Sequence, residues 1–204
     1  MKKFIITFTL LHFYTFTLFA SDCLQFKIYP EVKITNAEWI RDVTQPDHPM
    51  DALHGIVAAS FDEGYDLGVS TQPVGDGYCV VLNTLDAAVG YTNFLVYIDA
   101  SFSPGSCRYN MTLEHEDEHI SAYLSALRDE SENMKRSIQA AANSIMPAFV
   151  KSLDGVNAAL DKMQNDLQSH PDIILMKQKI NAEQEIRNKK IDERDDGKRI
   201  NMCK

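Results

Sequence analysis

The sequence contains no Cys-x-x-Cys pair, no internal repeat and no low-complexity segment. Basic residues are also scarce, because 20 Lys and Arg stand against 29 Asp and Glu, for a net charge of −9. An acidic chain is poorly suited to bind nucleic acid or an anionic membrane surface. The composition therefore excludes both classes of partner from the predicted function, and 45% hydrophobic residues indicate an ordinary globular chain.

The chain has one long apolar run, and it lies at the start. The run from Phe4 to Phe19 follows two lysines and ends at a small residue, Ala20, as in a secretory signal peptide. It is shorter than the ~20 residues that a membrane span needs, and Asp22 follows, so we predict no stable membrane span after cleavage. We predict a signal peptide over 1–20, a single domain over 21–204, and a periplasmic or secreted location.

Four cysteines are present, at scattered positions. In an exported protein, an even and scattered set predicts two disulfide bonds, and four cysteines allow three pairings. Zinc ligation by cysteine is the competing interpretation, which an oxidising compartment disfavours. Among the three pairings we predict Cys23–Cys79 and Cys107–Cys203.

The central motif is the run from His115 to His119, which reads H-E-x-x-H. On an α-helix, four residues turn the chain by about 400° and advance it by about 6 Å, so both imidazoles project from one face. Two neutral imidazoles in that arrangement can hold one zinc ion at ~2.0–2.1 Å. Glu116 lies beside them and can reach a metal-bound water. The motif therefore predicts a Zn²⁺ site with His115 and His119 as ligands and Glu116 as the catalytic base.

Strand patterns precede the motif and helical patterns follow it. Tyr78–Thr84 and Tyr91–Asp99 are rich in β-branched and aromatic residues, and the short gap between them predicts an antiparallel pair. From Met111 apolar residues recur at helical intervals, and further helical patterns cover Val156–Gln168 and Asp172–Glu193. We therefore predict an α+β fold, with a small antiparallel sheet followed by a long metal-site helix and further helices.

An H-E-x-x-H motif after a strand resembles the zincin class of zinc metallopeptidases. More narrowly, the runs Val96–Asp99, Pro104–Asn110 and Leu113–Glu116 are similar to a group of small exported bacterial proteins described as zinc-dependent proteases. The resemblance covers roughly residues 75–125. It implies a zincin-like fold, two histidine ligands and a glutamate general base.

The chain departs from the metzincin pattern H-E-x-x-H-x-x-G-x-x-H at two positions. Ala122 stands in place of its glycine and Ser125 in place of its third histidine, and no downstream glutamate motif is obvious. Tyr109 or Tyr123 could donate a hydrogen bond to an oxyanion, although amphipathic tyrosines at helical spacing more commonly pack in a core.

A catalytic zinc usually has three protein ligands. Glu130 lies about 16 Å beyond the second histidine at ~1.5 Å per helical residue, so neither it nor Glu132 can reach the same ion. The third ligand must come from another segment. By residue type, the candidates include His48, His54 and His170.

The proposed Cys107–Cys203 bond favours a different third ligand. It would tie the end of the chain to the start of the motif helix. If the two segments run antiparallel, Asp192 to Asp196 lie level with the histidines. Asp192 follows apolar Ile191 at the end of the last helical pattern, so we predict Asp192, with His170 next. The competing interpretation is a solvated acid in a mixed-charge tail.

These patterns predict an exported zinc-dependent metallopeptidase that hydrolyses peptide bonds in a peptide or protein substrate, using a zinc-activated water and Glu116 as general base. The first alternative is a non-catalytic, zinc-binding envelope protein. The second is a helical interaction module in which the motif is an accident, since acidic residues also suit a solvated helix start.

Overall fold

The computed structural model describes residues 23–50, 54–195 and 198–203. The predicted signal peptide over 1–20 lies outside the described residues. No helix in the described ranges combines the length and the apolar character needed to cross a membrane.

The chain divides into two compact units, whereas the single domain over 21–204 stays a prediction. The first unit comprises the described part of Met1–Lys33 with Tyr65–Asp86 and Ile138–His170. The second comprises the described parts of Ile34–Gly64, Ala87–Ser137 and Pro171–Lys204. All the predicted motif residues belong to the second unit.

The described residues form a five-stranded sheet with strands β1 (Glu31–Asn36), β2 (Ile40–Thr44), β3 (Gly55–Val74), β4 (Gly77–Ile98) and β5 (Ala148–Val150). The other four strands all pair with β4. β2 runs parallel to β4, with Ile40 opposite Asn93. β5 runs antiparallel to it, with Tyr78 opposite Val150. The sheet is therefore mixed, and the prediction of an antiparallel sheet is wrong for the β2–β4 pair.

The two predicted strands, Tyr78–Thr84 and Tyr91–Asp99, do not pair with each other. Both belong to β4, whose hairpin partner is β3. The residues between them continue the strand alternation, since Leu85, Ala87 and Val89 are buried while Thr84, Asp86 and Ala88 are exposed. Alanine and aspartate have low strand propensity, so the packing of the buried face, and not local preference, keeps this stretch extended.

The turn of this hairpin lies where the sequence has glycine. Gly75 and Asp76 form a two-residue connection between β3 and β4. Gly75 has a φ of 55°, in the left-handed region that glycine adopts without steric cost. Two-residue hairpin loops favour such residues because their twist matches that of the flanking strands.

The helices are α1 (Cys107–Asp129), α2 (Ser131–Ser144), α3 (Val156–Gln168), α4 (Pro171–Asp195) and α5 (Lys198–Asn201). The predicted helix over Val156–Gln168 is confirmed as α3, and Asp172–Glu193 lies within α4. The motif helix begins at Cys107, before Met111, because the Ser106 hydroxyl accepts a hydrogen bond from the Tyr109 amide.

The helical pattern predicted from Met111 is confirmed, but it is divided into two helices, because the chain leaves helical geometry at Glu130. This residue has φ −89° and ψ 1° and separates α1 from α2. The side chain of Asn133 donates to the Glu130 carboxylate at 2.6 Å. The backbone amide of Glu130 still donates to Ala126, and its carbonyl accepts from Met134, so the break is a local change of direction.

Within the second unit, α1 and α4 pack antiparallel. Glu118, early in α1, pairs with Arg194 at the end of α4. Later in α1, Ser125 and Asp129 both accept hydrogen bonds from Arg187, at 2.6 and 2.8 Å. Later residues of α1 therefore contact earlier residues of α4, as expected for antiparallel helices. Both helices bury apolar side chains, namely Ile120, Ala126, Leu127, Ile173, Met176 and Ile180.

Two disulfide bonds are present, one in each unit. Cys23 is bonded to Cys79 in the first unit, with a sequence separation of 56. Cys107 is bonded to Cys203 in the second unit, with a separation of 96. These are the pairs named from the sequence, and the second bond joins the first residue of α1 to the residues that follow α5.

Replacing either cysteine pair with alanine is expected to lower the free energy of unfolding by about 4–5 kcal/mol. The reason is that both bonds close long loops, and loop-closure entropy depends only weakly on loop length. Chemical denaturation of the two double variants beside the oxidised parent measures the loss. A non-reducing peptide map that links Cys79 to Cys107 would contradict both assignments.

Candidate metal centre

The two motif histidines share one face of α1. The Nε2 atoms of His115 and His119 lie 3.1 Å apart, and the ring centroids 4.7 Å apart. Both side chains are largely buried, at 19% and 12% exposure. The i, i+4 spacing on a regular helix accounts for this convergence.

Asp192 of α4 completes a three-residue cluster. Its Oδ1 atom lies 3.4 Å from Nε2 of His115 and 3.0 Å from Nε2 of His119. The antiparallel packing of α1 and α4 brings this carboxylate level with the histidines. Within the described residues, this is the set of histidine and carboxylate groups whose ligand atoms converge closely enough to hold a metal ion.

The spacing of these three atoms fits a tetrahedral zinc ion. Ligands about 2.0–2.1 Å from a tetrahedral centre lie about 3.3–3.4 Å from one another. The observed separations are 3.0, 3.1 and 3.4 Å, so a single point can lie about 2 Å from all three atoms. Two imidazoles and one carboxylate leave a fourth tetrahedral position open, as catalytic zinc sites do.

Glu116 is buried beside this cluster, at 3% exposure. A Cβ atom on Gly55 would lie 2.5 Å from Oε1 of Glu116, so the absence of a side chain at Gly55 makes room for the carboxylate. Burial, together with the charges of Asp192 and Asp117, raises the pKa of Glu116 to about 8. Without a metal ion this carboxyl is therefore largely protonated at neutral pH.

The electrostatics of the histidines suit metal ligation. Burial lowers the pKa of His115, and the neighbouring His119 lowers it further, against the opposing charges of Asp195 and Asp192. The imidazole therefore stays neutral near pH 7, which is the state that binds metals.

Two further residues of α4 contact the histidines: Asn188, which was not predicted, and Asp195, which lies in the stretch predicted to be level with them. Asp195 Oδ2 lies 2.8 Å from Nδ1 of His115, and Asn188 Oδ1 lies 3.0 Å from Nδ1 of His119. With Asp192 they form the pattern Asn-x-x-x-Asp-x-x-Asp, which lies on one helix face. That spacing was the sequence signal that Asn188 and Asp195 share a helix face with Asp192. Gly55 gave none, because only the fold brings it to Glu116.

The other sequence candidates lie outside the cluster. His54 packs its ring on Phe102, with centroids 5.5 Å apart, and His170 belongs to the first unit. Tyr123 packs its ring on Tyr91 at 5.1 Å, and its hydroxyl is hydrogen-bonded with Asn188. The remaining candidates that the cluster does not include are His48, Tyr109, Glu130 and Glu132.

Comparison of the chain with known protein families, with curated proteins and with solved structures finds no match.

The metal-free Glu116→Gln variant is expected to be more stable than the parent at pH 8, by the order of 1–3 kcal/mol. Glu116 titrates near 8 when folded and near 4.5 when unfolded. The folded state therefore binds more protons across that window, and stability falls as the pH rises through it. Denaturant titrations in chelator between pH 4 and 8 measure the difference, which should vanish at pH 4.

The matched control is Glu114→Gln, which removes the same charge from an exposed position of α1. It should leave the pH dependence of the parent unchanged. Identical pH profiles for the parent and Glu116→Gln would mean that Glu116 is not held protonated by burial.

Proposed function

We propose that this chain is an exported, zinc-dependent metallopeptidase. One observation carries the proposal: His115, His119 and Asp192 converge at ligand spacing, with the buried Glu116 next to the first histidine. A zincin-type motif predicts this combination of two histidines, a third ligand from another segment and an adjacent glutamate. An accidental H-E-x-x-H gives no reason for a third ligand at the right distance.

The residues present suit hydrolysis by general base catalysis. A zinc ion held by the cluster would supply Lewis acidity and lower the pKa of a bound water towards ~7. Glu116 accepts a proton from the water that attacks the peptide carbonyl and then passes it to the leaving amine. His115, His119 and Asp192 are the residues that would hold the ion.

A strand edge beside Glu116 supports a peptide as the substrate. β3 begins at Gly55, the residue that lies against the Glu116 carboxylate. In the described part of the chain, β4 is the strand with which β3 pairs, so β3 lies at an edge of the sheet. An extended peptide can bind to such an edge as an added strand.

The two disulfides support export. Such bonds persist in oxidising compartments and are rare where thiols are kept reduced. With the basic and apolar start of the sequence, they favour a periplasmic or secreted location.

The burial of Glu116 favours one alternative, a non-catalytic zinc-binding envelope protein. A general base must reach the water that it deprotonates, and Glu116 is 3% exposed. In this alternative, the three ligands hold zinc for structure or sensing, and Glu116 only fills the space beside Gly55.

The purified mature protein is expected to bind about one zinc per chain and to cleave members of a broad peptide library or an unfolded protein such as casein. Glu116→Gln should keep the zinc and lose about 10²–10⁴-fold in kcat, since a general base contributes that much. His119→Ala and Asp192→Ala should both weaken zinc binding. Metal analysis and fluorogenic peptide assays provide the readouts, with Glu114→Gln as the control of equal charge.

Three outcomes separate the possibilities. Equal rates for the parent and Glu116→Gln would remove Glu116 from catalysis. Zinc binding without cleavage of any library member would establish the non-catalytic alternative. Less than ~0.2 zinc per chain, with no uptake on titration, would end both zinc-binding proposals, because structural and catalytic sites alike should bind.

A further inference from the structure

Each candidate histidine ligand has a residue of α4 against its second ring nitrogen. Nδ1 of His119 lies 3.0 Å from Asn188 Oδ1, and Nδ1 of His115 lies 2.8 Å from Asp195 Oδ2. The Nε2 atoms of both rings face Asp192 instead. One face of α4 therefore supplies a group to both sides of the two imidazoles.

The orientation of the Asn188 amide fixes the tautomer of His119. Its Nδ2 donates to Oε1 of Gln184 at 3.0 Å, so its Oδ1 is the atom that faces the ring. A carbonyl oxygen only accepts hydrogen bonds, so Nδ1 of His119 must carry the proton. Asp192 Oδ1, 3.0 Å from Nε2, also only accepts hydrogen bonds, but its side chain is 61% exposed and water can satisfy it, so the neutral ring keeps its proton on Nδ1 and its lone pair on Nε2. The hydroxyl of Tyr123 is also hydrogen-bonded with Asn188, which adds a further contact to hold the amide.

Asp195 acts on His115 through charge and position. Its side chain is 10% exposed, and its carboxylate can only accept hydrogen bonds. The contact of 2.8 Å is close, although the ring is not aligned for a hydrogen bond at Nδ1. A buried negative charge at that distance favours the proton on Nδ1, which again leaves the lone pair on Nε2.

We propose that Asn188 and Asp195 are positioning residues of the metal centre. They hold His119 and His115 in the Nδ1–H tautomer, so that both Nε2 atoms face Asp192 before any ion binds. The consequence for zinc affinity rests on the proposed function, whereas the tautomers themselves do not. Groups that orient metal-binding histidines in this way typically change metal affinity by 10–100-fold when they are removed.

The first test needs no substitution. Nitrogen-15 spectra of the histidine rings, recorded on metal-free parent protein, report which nitrogen carries the proton. We expect the Nδ1–H form for His115 and His119 at pH 7.5. A mixture of both tautomers, or the Nε2–H form, would overturn the proposal, whatever the protein does with zinc.

For Asn188, the informative pair of variants is Asn188→Leu and Asn188→Asp. Leucine has similar size and no hydrogen-bond acceptor, so His119 should no longer be held in the Nδ1–H form. Zinc binding should then weaken by about 10–100-fold. Aspartate restores an acceptor and should restore both the tautomer and the affinity. A purely structural role predicts that both variants lose stability and that neither changes the ring spectrum.

For Asp195, the matched pair is Asp195→Leu and Glu193→Gln. The control removes a charge from the same turn of α4, where Glu193 is exposed and pairs with Lys189 at 3.7 Å. We expect only Asp195→Leu to shift the His115 spectrum and to weaken zinc binding, by about 10–100-fold in a chelator competition. Equal zinc affinity for parent and Asp195→Leu would overturn the role of Asp195.

The outcomes keep the two proposals apart. If the parent binds zinc and the Leu variants bind it equally well, the positioning roles fail while the metal site stands. If the parent shows the Nδ1–H tautomers but binds no zinc, the metal site fails while the orientation of the rings stands.

Discussion

The antiparallel packing of α1 against α4 is the contact on which the candidate site depends. The histidines are on α1, and α4 contributes Asp192 together with both residues that contact the distal ring nitrogens. A shift of one helical turn, about 5.4 Å, would take Asp192 away from the two imidazoles. The register is held at several points along the pair, by Arg194 on Glu118 and by Arg187 on Ser125 and Asp129.

Charge is distributed unevenly around the motif. Asp117 and Glu118 occupy the two x positions of H-E-x-x-H, and each pairs with an arginine. Arg41 lies 2.7 Å from Asp117, and Arg194 pairs with Glu118. The carboxylates of Glu116 and Asp195 are buried, whereas Asp192 is 61% exposed, and the charge of Asp192 adds to the effect of burial in raising the pKa of Glu116. Buried carboxylates are costly unless they are paired or bind a metal. A divalent cation held by His115, His119 and Asp192 would offset part of that cost, which supports the proposed zinc site.

Local patterns were sufficient for the parts of the site that lie on one helix. Four-residue spacing alone predicts that His115 and His119 share a face. The third ligand needed a long-range constraint, which the Cys107–Cys203 pairing supplied for Asp192. The sheet was less predictable, because β4 continues through alanine and aspartate by tertiary packing, and a parallel partner such as β2 has no local turn signal. Asn188 was missed because its spacing from Asp192 indicates only a shared helix face, and the fold is needed to bring that face to His119.

The Cys107–Cys203 bond lies at the end of the helix pair that forms the cluster. Breaking it would free the chain beyond α4 from α1 and increase the fraying of the last turns, which contain Asp192 and Asp195. On the proposed function, metal retention is then linked to the oxidation state of the thiols, and the linkage is reciprocal, so a bound ion also makes the bond harder to reduce. A chain still in a reducing cytoplasm would compete poorly for zinc, and its metal centre would mature only after export.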